Sequence, residues 1–294
     1  MGFEADIIKA LQTLSNGFTD FVGKATSLFG TEYLFLAVAV TLYWCIDKAY
    51  AYRFFNVYIL GVAVTNFFKQ GFKRPRPFNA YPDKVVSIGD PETTYSFPSG
   101  HTESIASIST LLTVKYGKKH RAVPVVFAVL TLLVMLSRMY LGQHYLSDVF
   151  CGLTLGVLVA IAFNALLSLF GSREELFLIP AAVLTAVLIG VMYGTGMDGA
   201  SGADILKGVG AFVAFDIGYF LEKKFVKYDV AVNRKWWKCA LRIVLGGGVA
   251  IAVQQTFKLF LPSDIPMLYG FLRYFIMAFW AAFVAPVIFK AIKL

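Results

Sequence analysis

Apolar runs of about the length needed to cross roughly 30 Å of hydrocarbon recur along the whole chain, separated by short charged loops. A backbone inside hydrocarbon must satisfy its own hydrogen bonds, so such runs are confined to helices. The runs lie at approximately 33–46, 54–72, 102–116, 122–141, 149–170, 176–193, 203–221, 241–261 and 268–289. The fold class expected is therefore all-α: a polytopic membrane protein of about nine transmembrane helices. Composition agrees, because 58% hydrophobic and 15% charged residues among 294 is more apolar material than one soluble core needs.

The first long apolar run begins after residue 30, so no cleavable signal peptide is expected and the N-terminus should be retained. Residues 1–29 set Ile7, Ile8, Leu11, Leu14, Phe18, Phe21, Val22, Ala25, Leu28 and Phe29 among Glu4, Asp6, Lys9, Asp20 and Lys24. That spacing suits either amphipathic helices lying in the membrane interface or a plain packing helix. Cys45, Cys151 and Cys239 show no metal-ligand spacing and read as structural. The net charge of +9 comes without a basic, aromatic-interleaved stripe, which argues against nucleic acid as a partner and for topology as its origin.

With the loop after the second run placed outside, the cytoplasmic segments hold 16 of the 27 lysines and arginines. This is the asymmetry the positive-inside rule demands. One outer loop breaks the rule: Lys69, Lys73, Arg74, Arg76 and Lys84 crowd the connection between the second and third runs. A local violation of an otherwise obeyed rule marks a functional site; the alternative is an inverted topology.

Five of the ten prolines, Pro75, Pro77, Pro82, Pro91 and Pro98, fall in that loop, which predicts ordered irregular backbone able to hold side chains in place. Two of the three histidines, His101 and His144, sit at outer helix ends beside it, whereas His120 lies in the cytoplasmic run Lys118-Lys119-His120-Arg121. Lys69 and Arg76 are seven apart with Pro77 fixing the backbone, so that an ammonium and a guanidinium can converge on one oxyanion. Pro98-Ser99-Gly100-His101 precedes the third run, where a serine, a glycine and a helix N-terminus offer donors to a phosphate. Ser137-Arg138 ends the fourth run; His144 and Asp148 follow at i and i+4, which on a helix places imidazole and carboxylate on one face. Asp148 can then set the tautomer of His144 and leave its other nitrogen free to attack. Together the three segments supply an oxyanion clamp, an acid and an oriented nucleophile, and no acidic cluster suggests a metal or other cofactor. Phosphoryl transfer needs mainly charge stabilisation and alignment, which a Lys and Arg clamp can provide where other enzymes use magnesium.

Here the chain resembles the type 2 phosphatidic acid phosphatase superfamily, whose signature reads Lys-x6-Arg-Pro, Pro-Ser-Gly-His and Ser-Arg-x5-His-x3-Asp. Every position is filled, by Lys69 to Pro77, Pro98 to His101 and Ser137 to Asp148, and the likeness is strongest over about residues 50–170. The resemblance implies that His144 forms a phosphohistidine, that His101 protonates the leaving oxygen, and that Asp148 orients His144. It further implies that Lys69, Arg76, Ser99, Gly100 and Arg138 stabilise the transferring phosphoryl.

The division expected is an N-terminal segment 1–29, a six-helix phosphatase core 30–193 and three additional helices 194–294. The layout is similar to that of glucose-6-phosphatase and sphingosine-phosphate phosphatases. A lipid phosphate or pyrophosphate is the favoured substrate, since a site at the interface admits a phosphate head while the apolar tail stays in the bilayer. The alternatives are a soluble sugar phosphate and, from another class, a lipid or anion transporter whose basic loop only binds phosphate. The expected location is a bacterial cell membrane, or the endoplasmic reticulum in a eukaryote, with the site extracytoplasmic and membrane lipids as partners. Asp216 falls inside the seventh run, where a charge costs about 2.5–3.5 kcal/mol on insertion scales, so it should face the bundle interior or a partner. The glycine-rich connector 194–202, flanked by Asp198 and Asp204, reads as a plain link or a lid.

Overall fold

A computed structural model of the chain describes residues 2–170, 199–230, 235–260 and 266–294, with scattered positions between 183 and 194. The described residues are helical, without a strand, and the chain forms two compact units. One comprises Met1–Leu36 and Leu60–Ala165, the other Ala37–Ile59 and Leu166–Leu294.

The first unit carries α1 (Gly2–Gln12), α2 (Gly17–Ser27), the beginning of α3 (Glu32–Thr41) and the later turns of α4 (Lys48–Phe72). It continues with α5 (Pro77–Ala80), α6 (Gly100–Tyr116), α7 (Ala122–Tyr140) and most of α8 (Leu146–Leu169). The helix starts are written in the sequence. Asn16 accepts from the Phe18 and Thr19 amides while the Thr19 hydroxyl accepts from the Asn16 amide, a reciprocal capping box that opens α2. Pro77 supplies the preset φ of the first turn of α5. Ser99 caps α6 by accepting from the Thr102 amide.

Two glycines of α8 bring it against α6. A methyl group on Gly152 would collide with the Ser99 carbonyl, and one on Gly156 with the Glu103 carbonyl. Small residues at such a crossing let two backbones approach closely, and here they bring the helix that starts at the Pro-Ser-Gly-His motif beside the helix that starts after His144. Gly142, at φ +73°, makes the turn between α7 and α8, and a side chain there would strike the Val86 carbonyl. Ala5 and Ile8 of α1 are buried with Val85, Met135, Met139, Tyr145 and Val149. On α7, Val125, Val126, Val129, Leu132, Leu133 and Leu136 form an exposed apolar stripe, the kind of surface a lipid-facing helix presents.

The second unit contains α9 (Gly199–Leu221), α10 (Trp236–Phe260), α11 (Pro266–Phe279) and α12 (Ala285–Ala291), with the first turns of α4. Tyr52 stacks on Tyr219 with centroids 4.2 Å apart, and Phe55 on Phe215 at 4.0 Å. Asp216 is 1% exposed and accepts a hydrogen bond from Asn56 Nδ2 at 3.2 Å, so it faces the interior of its unit. The three cysteines are free thiols.

Four described helical stretches are long and apolar enough to cross a membrane: Ala122–Tyr140, Leu146–Leu169, Trp236–Phe257 and Leu268–Ala291. A fifth is added if the bent pair Gly17–Gly30 and Glu32–Ile46 counts as one span. This establishes a multi-pass, all-helical membrane protein with fewer qualifying helices than the nine runs read from the sequence. The run 176–193 lies outside the described residues. The helix α6 has 17 residues and carries Glu103, and α9 carries Lys207 and Asp216. Of the connector 194–202, residues 199–202 belong to α9 and 195–198, including Asp198, lie outside the described residues.

Candidate active site

All eight residues singled out from the sequence lie in the first unit, where α4, the loop 81–99, α6, α7 and α8 converge. Arg76 is 1% exposed and is the best-held cation of the group. Its Nε donates to the Thr94 carbonyl at 2.7 Å and its Nη1 to the Gln143 carbonyl at 3.0 Å. The same Nη1 lies 3.2 Å from His144 Nε2, and Nη2 donates to Glu92 Oε2 at 2.6 Å. Arg138, also buried, donates through Nη1 to Ser27 Oγ at 2.7 Å and through Nη2 to Glu92 Oε1. Lys69, at the end of α4, reaches Thr94 Oγ1 at 3.2 Å. His101, in the first turn of α6, places Nδ1 3.5 Å from Glu92 Oε1.

The contact with Arg76 assigns the tautomer of His144. A guanidinium has only protons to give, so Nε2 must offer its lone pair and the ring proton of a neutral His144 must sit on Nδ1. That Nδ1 faces Asp148 Oδ2 across 3.6 Å. Burial first, then the Arg76 and Arg138 charges, hold the pKa of His144 well below its ordinary 6.5, which favours the neutral imidazole.

Asp148 is itself tightly held. Its Oδ2 accepts from the Ser96 hydroxyl and from the Tyr145 amide at 2.9 Å, and its Oδ1 accepts from Arg74 Nη1 at 2.6 Å. Its backbone carbonyl accepts from the Ser99 amide at 3.0 Å, which ties the start of α6 to the start of α8. Ser99 Oγ accepts from Thr102 Oγ1 at 3.1 Å. At Gly100 an added methyl would meet Thr65 Cγ2 at 3.8 Å, an ordinary van der Waals contact.

The residue that sequence reasoning did not single out is Glu92. Its two carboxylate oxygens take the guanidiniums of Arg76 and Arg138 and the ring of His101. Burial opposes its ionisation, but the Arg138 and Arg76 charges outweigh it and hold the carboxyl well below the usual carboxylate range. An anion thus sits in the clamp. Asp83, Asp90 and Glu92 share the loop, and nothing in their spacing distinguishes the one that folds inward. Thr94, Ser96 and Gln143 belong with Glu92 as positioning groups without a sequence signal. Among the described residues no group of three His, Cys, Asp or Glu side chains is placed to hold a metal ion.

Two guanidiniums and the ring of His101 around one carboxylate, with Lys69 and His144 next to the same cluster, form a cationic site of the kind that can hold an oxyanion, in a protein of membrane-spanning helices. Residues 50–171 match the PAP2 superfamily, and residues 206–294 match the PAP2 superfamily phosphatase transmembrane extension. The chain thus carries a PAP2 superfamily domain followed by that superfamily's transmembrane extension.

Among its relatives, a probable sphingosine-1-phosphate phosphatase of Dictyostelium discoideum is 26% identical over 204 residues, covering 65% of this chain and 50% of the relative. Phosphatidylglycerophosphatase B of Bacillus subtilis is 36% identical over 75 residues, covering 23% and 37%. Sphingosine-1-phosphate phosphatase 1 of Mus musculus is 24% identical over 252 residues, covering 78% and 57%. The chain therefore spans about half the length of these relatives. Among solved structures, the PAP2 type phosphatidylglycerolphosphate phosphatase from Bacillus subtilis matches with 22% identity and a TM-score of 0.49, over 58% of this chain and 87% of that one.

Proposed function

We propose that the chain is a metal-independent phosphatase that hydrolyses a lipid phosphate or pyrophosphate through a phosphohistidine. The observation that carries this reading is Glu92: a carboxylate bound jointly by Arg76 and Arg138, beside His101, occupies the position a substrate phosphate would take. The phosphate displaces Glu92 and is gripped by Lys69, Arg76 and Arg138, with the amides at the Ser99–Gly100 helix start as further donors. His144 Nε2 attacks phosphorus as the bond to the leaving oxygen breaks, and His101, which enters the step as the imidazolium beside the bound phosphate dianion, gives that oxygen a proton and becomes neutral. Water then attacks the phosphohistidine, His101 takes its proton, and the P–N bond breaks to release inorganic phosphate and neutral His144.

The lipid reading draws support from the relatives' names and from the setting of the site among lipid-facing helices. Phe3 of α1 and Phe18 and Phe21 of α2 are strongly exposed, as are Leu14 between them and Leu28 just after, which favours α1 and α2 as interfacial elements. The expected architecture remains nine spans, with a six-helix core over 30–193 and three further helices over 194–294.

Phosphate release from a panel of lipid and sugar phosphates in detergent tests the reading. Activity is expected to survive EDTA and to be blocked by vanadate, because the clamp supplies all the positive charge a five-coordinate phosphoryl needs. Loss on chelation with recovery on adding magnesium would overturn metal independence.

The active site is proposed to open on the extracytoplasmic side. In a background without Cys45, Cys151 and Cys239, a cysteine replacing exposed Asn79 is expected to react with an impermeant maleimide in intact cells. One replacing exposed Lys119 should react only after permeabilisation. The reverse pattern would invert the topology.

A further inference from the structure

The carboxylate that faces His144 has a support of its own, and it comes from a part of the chain that precedes the family match at residue 50. Arg74 Nη1 donates to Asp148 Oδ1 at 2.6 Å and to Ser147 Oγ at 2.7 Å. Its Nη2 donates to Glu4 Oε2 at 2.8 Å, and the guanidinium carbon lies 3.9 Å from the centre of the Tyr145 ring. The other oxygen of Glu4 accepts from the Ser147 backbone amide at 2.7 Å. One side chain of α1 therefore holds both the guanidinium that crosses Asp148 and the first turn of the helix on which Asp148 sits.

We propose that Glu4 is a positioning residue for catalysis: by fixing Arg74 and the first turn of α8, it sets the place of the Asp148 carboxylate opposite His144 Nδ1. This rests on the phosphohistidine reading above for its kinetic consequence, though not for its structural one. Glu4 never reaches the oxyanion position; it acts through Arg74 and Asp148.

The fold makes the idea separable from simple docking of α1. That helix has independent anchors: Ala5 and Ile8 are buried in the core, Lys84 pairs with Asp6 at 2.7 Å, and Gln12 Nε2 donates to the Val86 and Tyr140 carbonyls at 2.7 and 3.0 Å. Removing the Glu4 carboxylate therefore leaves α1 in place while freeing Arg74. Partners of this indirect kind commonly cost roughly 10–100-fold in activity at sites where they orient a reactive group.

The test compares Glu4→Ala, Glu4→Gln, Glu4→Asp, Arg74→Gln and the double Glu4→Gln/Arg74→Gln in detergent. Glu4→Ala should lower kcat about tenfold with KM unchanged, since the phosphate clamp is untouched, and Glu4→Asp should recover part of the loss. In the Arg74→Gln background, Glu4→Gln should add little, the non-additivity expected of residues acting in one chain. Wild-type kcat in Glu4→Ala, or fully multiplicative losses in the double variant, would overturn the proposal. A structural readout stands apart from turnover: with three histidines in the chain, ¹⁵N-histidine spectra resolve His144 directly. The His144 signal should shift in Glu4→Ala and the His120 signal should not. An unmoved His144 signal sinks the positioning role even if phosphatase activity is present. Absent activity with a shifted signal sinks the phosphatase reading instead.

Discussion

Replacing His144 by alanine is expected to abolish both turnover and any acid-labile phosphoenzyme, whereas His101→Ala should still form the phosphoenzyme with a substrate whose leaving group needs no proton. The two imidazoles differ in what surrounds them. His144 is fully buried, its Nε2 is the lone-pair nitrogen by its contact with Arg76, and its Nδ1 faces Asp148. That environment suits the proposed nucleophile. His101 stands at the first turn of α6 with Nδ1 3.5 Å from Glu92 Oε1, and is partly exposed where His144 is not. Loss of a general acid costs roughly 10²–10⁴ in rate for a poor leaving group, and far less for a p-nitrophenolate. The measurement is rapid-quench trapping of ³²P-labelled protein from each variant, beside steady-state rates on an alkyl and an aryl phosphate. A phosphoenzyme persisting in His144→Ala would reassign the nucleophile.

Glu92→Gln is expected to tighten binding of vanadate and inorganic phosphate by roughly 10–100-fold, since an incoming anion no longer has to displace a carboxylate held by two charge-assisted hydrogen bonds. In the resting protein this carboxylate neutralises two guanidiniums that would otherwise repel each other in a buried place. Its removal should therefore lower thermal stability in the absence of anion and restore it when phosphate is added. Turnover should fall, because product phosphate leaves a clamp with no internal competitor. Isothermal titration with vanadate and melting curves with and without phosphate report both effects. Weaker anion binding in Glu92→Gln would mean instead that Glu92 helps to hold the bound phosphate.

The candidate constellation was legible because its parts are short in sequence and chemically unusual. A cationic, proline-rich loop, a Pro-Ser-Gly-His segment at a helix start, and a His–Asp pair four residues apart each have a local reason. The helical class was legible for the same kind of reason, since hydrophobic runs respond to the bilayer and not to any distant partner. Helix count was less so. The 17 residues of α6 and the charges of α9 make those elements dependent on neighbours that shield Glu103 and Asp216, which a hydropathy pattern does not record.

The sequence was sufficient for whatever depends on residues near one another along the chain: an all-helical membrane protein and the three motifs that carry Lys69, Arg76, His101, Arg138 and His144. Glu92 in the clamp, Ser27 on Arg138, Ser96 on Asp148 and Glu4 on Arg74 emerged only from the fold. Each joins segments separated by tens of residues or more. A carboxylate in a loop has the same local signature whether it is solvated or folded inward, and its fate depends on charges delivered by other helices. The physical division is between interactions that the chain's own periodicity brings together and those that exist only once α1, α2 and the loop carrying Glu92 and Ser96 have packed against α7 and α8.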